Sequence, residues 1–172
     1  MKNIAVFPGS FDPLTLGHVN IVQRGLKIFN RVIVAVATNI SKRSLFNEEE
    51  RVALLKEVFR KTSRVKVDTF EGLLVNYLRR IGASIILKGL RVGEDFEYER
   101  QMALANKSLE KGIETVFMMS DPKYLYFSSS LIKEIVMLGG SVRTMVPAAV
   151  ERKLREKLRD KKEDLKNADF AR

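Results

Sequence analysis

Three short stretches of this chain concentrate residue types suited to phosphate chemistry. The first is Phe7-Pro8-Gly9-Ser10-Phe11-Asp12-Pro13-Leu14-Thr15-Leu16-Gly17-His18. An apolar run delivers the chain into it and an amphipathic run leads out. A helix N-terminus offers unpaired N–H groups and a positive dipole end, both of which favour an anion. Gly9 and Gly17 lack a Cβ, so the backbone there can turn and approach a ligand. His18, the single histidine, falls in the first helical turn. The dipole disfavours an imidazolium at that place, so any charge on His18 depends on a bound anion. A loop rich in Gly, Pro and Asp is equally often a plain turn, and a histidine at a helix start is often a surface residue.

The second stretch is Phe127-Ser128-Ser129-Ser130-Leu131-Ile132-Lys133. Its serine hydroxyls and N–H groups, at the start of another helix, make a neutral, donor-rich cradle. The same residues also read as an over-supplied helix cap. The third stretch, Lys88-Gly89-Leu90-Arg91, supplies two cations around a glycine, and Val92–Glu99 then opens an acidic helix start. Taken singly, each of these charges reads as a solvated surface residue. Neither G-x-x-x-x-G-K-[ST] nor G-x-G-x-x-G occurs, which excludes the P-loop and dinucleotide fingerprints.

The elements that must position these stretches are legible from periodicity. Lys2–Phe7, Arg31–Ala37, Arg64–Thr69, Ser84–Lys88 and Thr115–Met119 are continuous apolar, β-branched runs, as strands covered on both faces should be. Helical period predicts helices over Gly17–Phe29, Asn47–Lys61, Leu73–Ile81 and Phe96–Lys111. Asn47 and Glu50 have capping-box spacing, while Gly82 and Gly112 read as stops. Further helices are predicted over Ser128–Leu138, capped by Ser128 or Ser129, and over Ala148–Leu158 after Pro147. This alternation predicts an α/β fold: a doubly wound, five-stranded parallel sheet, Rossmann-like, with C-terminal helices. The three stretches then follow strands one, four and five, at one edge of the sheet. Residues 1–158 read as a single domain and 159–172 as a charged, frayed tail.

Bulk properties narrow the class. The 172 residues suit one domain, and 45% hydrophobic content allows a real core. With no cysteine, disulfides, thiolate metal sites and cysteine nucleophiles are excluded, and a cytoplasmic location fits. The N-terminal apolar run is too short for a signal peptide, and no run approaches a membrane span. Net charge of +10 attracts anions: nucleic acid, acidic membrane or a phosphorylated small molecule. The basic residues Arg152, Lys153, Arg155 and Lys157 are interrupted by Glu151 and Glu156. They read as a solvated helix face rather than a nucleic-acid site.

Gly9-Ser10-Phe11-Asp12-Pro13 followed by Thr15-Leu16-Gly17-His18 resembles the (H/T)-x-G-H signature of the nucleotidyltransferase superfamily. The serine stretch resembles that superfamily's C-terminal triphosphate motif. Lys88–Glu99 resembles the R-G-L-R-x-x-x-D-(F/Y)-E-Y-E stretch of the phosphopantetheine adenylyltransferase family, and Lys42 adds to that likeness. Together these cover roughly Lys2–Leu158. The resemblance implies transfer of the adenylyl group of ATP to 4′-phosphopantetheine, giving dephospho-coenzyme A and pyrophosphate. It implies that Thr15 and His18 face the phosphates. His18 would be the transition-state stabiliser, with Lys42, Lys88 and Arg91 as catalytic cations. Ser10, Lys42, Leu74 and Lys88 would contact the acceptor. Ser10, Phe11, His18, Gly89, Leu90, Arg91, Glu99 and Tyr124, Leu125, Tyr126, Phe127, Ser128, Ser129 and Ser130 would contact ATP. Magnesium would come with the ATP phosphates and not from a protein cage. The resemblance further implies a homohexamer and feedback by coenzyme A, with neither nucleic acid nor membrane as partner. Lys88 departs from the family's usual Arg and lacks its planar fork. Tyr124 stands where another aromatic, often Trp, is common. Related enzymes that adenylylate nicotinate mononucleotide or use CTP share the first stretch, so that stretch alone leaves them open.

Overall fold

A computed structural model describes residues 3–38, 44–91 and 93–169. Five strands form one parallel sheet: β1 (Ile4–Gly9), β2 (Arg31–Thr38), β3 (Val65–Glu71), β4 (Ile85–Leu90) and β5 (Glu114–Met119). Their order across the sheet is β3-β2-β1-β4-β5. The chain therefore runs outward from β1 to one side, then returns and continues on the other. That is the doubly wound arrangement expected from the sequence.

The alternation of side chains along each strand explains the two cores. Ala5 and Phe7 of β1 join Val32, Val34 and Val36 of β2 on one face. Val6, Ile33 and Ala35 lie on the other. The register pairs Ala5 with Val32 and Val6 with Ile33, so like faces meet. Both faces are covered, and the central strands are accordingly buried along their length. The first core is closed by α1 (Leu16–Gly25), α2 (Glu48–Phe59), α5 (Ser129–Met137) and α6 (Ala148–Asp169). On the second face lie α3 (Leu74–Ile81) and α4 (Gly93–Leu109), with Val75, Tyr77 and Leu78 of α3 fully in the core.

Three boundaries differ from expectation by three residues or more, each for a local reason. The first helix stops at Gly25, not Phe29, because the next turn tightens into i→i+3 bonds: Lys27 N–H to Arg24 and Ile28 N–H to Gly25. The fourth helix begins at Gly93, three residues early, which puts the acidic run of the sequence into its first turn. The last helix continues through Asp169, where a frayed tail was expected from Arg159. That segment has no Gly or Pro to break it, and Arg159, Lys161, Lys162, Glu163, Leu165, Lys166 and Ala168 are good helix formers, so helix continues without an apolar stripe to demand it. Before Arg159, α6 is fastened by Val150, Leu154 and Leu158, buried at four-residue spacing. A 3-10 turn at Pro122–Tyr124 was not anticipated.

Candidate functional site

A cleft of about 320 Å³ opens at the carboxyl ends of β1 and β4. These adjacent strands carry connections that diverge to opposite sides of the sheet, the place where open α/β sheets bind ligands. The three stretches singled out in the sequence converge there. Gly9, Ser10, Phe11 and His18 form one wall, Lys88, Gly89 and Arg91 the floor, and Tyr124 with Phe127–Ser130 the opposite wall.

The α1 wall is built by its own cap. Thr15 is the N-cap: its Oγ1 accepts from His18 N–H at 3.2 Å. His18 reciprocates, with Nδ1 accepting from Thr15 N–H at 3.0 Å. A nitrogen that accepts from a backbone N–H carries no proton, so the neutral ring is protonated at Nε2. Phe11 meets the ring edge-on at 5.2 Å and Phe7 lies 6.1 Å away. Burial, followed by the Arg91 charge, lowers the His18 pKa to about 4. His18 is therefore a neutral donor at physiological pH. Thr15 borders the cleft, and its hydroxyl contacts His18 through the backbone N–H and through Nδ1.

Two of the glycines work through packing. A Cβ on Gly89 would stand 3.0 Å from Ile21 Cγ1, so the glycine lets α1 sit close against β4. One on Gly9 would meet the Phe11 ring at 3.0 Å. Phe11 itself has φ of +50°, a left-handed conformation that costs a non-glycine residue on the order of 1 kcal/mol or more. It is held there by burial in the first core.

On the floor, Lys88 Nζ lies 3.1 Å from Glu99 Oε2 and 3.2 Å from Oε1. The resemblance put these residues on different ligands, whereas the structure pairs them. Glu99 Oε2 is buried, and its contact with Lys88 is an ion pair, with no hydrogen bond to it among the described residues. The α5 wall is capped by Ser128, whose Oγ accepts from Leu131 N–H at 3.0 Å. Ser129 Oγ donates to Pro13 O at 2.9 Å, which ties this wall to the α1 loop.

Some expected site residues lie elsewhere. Leu90, the last residue of β4, is buried and does not line the cleft. Tyr126 is 76% exposed and, like Leu125, stands outside the lining. Leu74 opens α3 beyond β3 and packs against the second core. Lys42 is outside the described residues. Sequence reading passed over Ser120, which lines the cleft just after β5. It also passed over the buried Arg51, whose Nη1 donates to Ser10 O at 2.8 Å and so braces the α1 loop. An arginine at the end of the first turn of an amphipathic helix carries no sequence mark of such a reach.

Among the described residues no group of three or more His, Cys, Asp or Glu could hold a metal ion. No helix among them is long and apolar enough to cross a membrane.

A switch-point cleft between two helix N-termini, without acids in either first turn and with cations beneath, suits a nucleoside triphosphate. Residues 6–135 match the family model described as cytidylyltransferase-like, which places the fold and the cleft in the nucleotidyltransferase class. A crystal structure from Vibrio parahaemolyticus, assigned as a nicotinate-nucleotide adenylyltransferase, shares the fold. Its TM-score is 0.66 at 18% identity, covering 90% of this chain and 99% of that one. Sequence relatives are much nearer. The phosphopantetheine adenylyltransferase of Caldanaerobacter subterraneus subsp. tengcongensis is 52% identical over 156 residues, 91% of this chain and 98% of its own. That of Geotalea daltonii is 54% identical over 151 residues, 88% of this chain and 94% of its own. The chain belongs to the phosphopantetheine adenylyltransferase family, a family of transferase enzymes.

Proposed function

We infer that this protein transfers the adenylyl group of ATP to 4′-phosphopantetheine, giving dephospho-coenzyme A and pyrophosphate. The observation that carries the reading is the convergence of Ser10, His18, Lys88, Arg91 and Ser128–Ser130 on one cleft, in a chain 52–54% identical over about nine-tenths of its length to enzymes of that name. A phosphate oxygen of the acceptor attacks the α-phosphorus of ATP and forms the new P–O bond. The bond from that phosphorus to the bridging oxygen breaks, and pyrophosphate leaves with the electron pair. The attacking phosphate is already anionic, so the step needs no general base. Catalysis then consists of positioning and charge stabilisation.

The residues divide accordingly. His18 donates Nε2–H to an oxygen of the transferring phosphate, as a neutral donor fixed by Thr15. Ser10, Lys42 and Lys88 serve the acceptor. Phe11, Gly89, Arg91, Glu99, Tyr124 and Phe127–Ser130 serve ATP. Arg91 and Lys88 neutralise the developing charge, and Lys88 exchanges Glu99 for phosphate as the ligands enter. Ser129 contributes its N–H, since its hydroxyl is engaged with Pro13. Magnesium enters with ATP as part of the substrate. A homohexamer, coenzyme A as a competing ligand of the same cleft and a cytoplasmic location complete the reading.

The test is direct. The protein is mixed with ATP, magnesium and 4′-phosphopantetheine, and dephospho-coenzyme A and pyrophosphate are followed, with nicotinate mononucleotide and CTP in parallel arms. Equimolar products in the first arm alone are expected. Turnover confined to another arm overturns the assignment.

A further inference from the structure

Lys133 and Asp12 stand just behind the cleft and not in its lining. Asp12 is among the few buried charged residues, at 5% exposure. Both of its oxygens are engaged. Oδ1 accepts from Phe46 N–H at 2.9 Å, and Oδ2 accepts from Leu45 N–H at 2.9 Å and from Lys133 Nζ at 3.0 Å. Three segments meet at this one carboxylate: the β1–α1 loop, the chain leading into α2, and α5.

Lys133 is four residues beyond Ser129, so the two project from the same side of α5. Ser129 holds Pro13 O while Lys133 holds Asp12. One face of the helix thus grips two consecutive residues of the loop that carries His18. A lysine one turn past a serine-rich helix start has an obvious alternative use, which is to bind polyphosphate directly. Its ammonium is turned instead onto a carboxylate that is already anchored by two backbone amides.

We propose that Lys133 and Asp12 are a positioning pair for adenylyl transfer, which holds the serine-bearing start of α5 in register with the His18 loop and touches neither substrate. The inference rests on the reaction given above. The pair matters because transfer needs donors from both walls on one phosphate chain, and a displacement of about 1 Å in such a site costs up to about a hundredfold in rate.

The experiment is a double-mutant cycle on the full chain, with kcat and KM for ATP and for 4′-phosphopantetheine measured for wild type, K133M, D12N and the double variant. Wild-type turnover comes first; its absence would refute the reaction itself and leave the pair out of account. Given turnover, K133M is expected to lose about tenfold to a hundredfold in kcat with KM for ATP within about threefold of wild type. The double variant should be no slower than the worse single variant, because the two side chains act as a unit. A KM for ATP raised tenfold or more in K133M, or losses that multiply in the double variant, would show Lys133 to be a polyphosphate ligand and overturn the proposal. Far-UV circular dichroism monitors folding. Should D12N fail to fold, K133Q decides beside K133M. Its amide still donates to Asp12, so a partial recovery of kcat at unchanged KM for ATP is expected, whereas a raised KM in both overturns the pairing.

Discussion

Two helices of this protein begin with the same local device and put it to opposite uses. At α2, Asn47 Oδ1 accepts from Glu50 N–H at 2.8 Å and Glu50 Oε2 accepts from Asn47 N–H at 2.9 Å. At α1, Thr15 and His18 make the same reciprocal pair. The α2 start carries Glu48, Glu49 and Glu50, so its dipole is neutralised from within. The α1 start carries no acid, and its third residue is a histidine driven towards neutrality. The first helix end is finished as a structural element. The second is finished geometrically but left electrostatically incomplete, and that incompleteness is what a phosphate can satisfy.

The sharpest way to break this contrast is to give α1 the chemistry of α2. In His18→Glu the capping box can persist and the dipole is complemented, so the melting temperature should equal or exceed that of wild type. Turnover should fall by about a thousandfold, because a carboxylate replaces the donor that faces the phosphates. Retained activity would show that the polarity of this end is irrelevant. His18→Ala removes the donor without adding charge, and a loss of about a hundredfold in kcat is expected with the fold intact. Lys88→Met tests the floor. It deletes one cation and leaves Glu99 unpaired against incoming phosphates, so kcat/KM should drop by about tenfold or more.

The pH dependence of stability separates the two boxes. His18 binds its proton with a pKa of about 4 when folded and 6.5 when unfolded. Between these values the unfolded chain holds more protons, so stability falls as pH drops from 6.5 towards 4, by about 3 kcal/mol at most. In His18→Ala that slope should vanish from denaturant titrations at stepped pH. For Glu50, burial raises the pKa, but hydrogen bonds from Lys157 and from Asn47 and the charge of Lys157 outweigh it and lower the pKa below 4.5. Its contribution is therefore present above 4.5 and lost as the pH falls further. The smallest effect expected is that of Glu50→Ala, about 1 kcal/mol of stability with turnover unchanged. A large activity loss there would mean that α2 is coupled to the site in a way its cap does not explain.

Much of this was legible in the amino-acid order. Continuous apolar runs and period-3.6 patterns are local, so the five strands, the capping box at Asn47 and the stop at Gly82 could be read directly. The phosphate-suited stretches could be read too, because backbone donors at a strand–helix junction depend on a few adjacent residues. The sequence by itself therefore determined the class of fold, the edge of the sheet where the cleft opens and most of the residue types that line it. Partnerships across the fold were not local. That Lys88 meets Glu99, that Arg51 reaches Ser10 and that Lys133 grips Asp12 are facts of tertiary approach between residues 11, 41 and 121 positions apart. Neutrality of His18 likewise follows from the aromatic walls and the Arg91 charge that folding brings to it. Only the tertiary structure decided these points, because burial and charge proximity, which set the state of each group, exist only once the chain has closed around it.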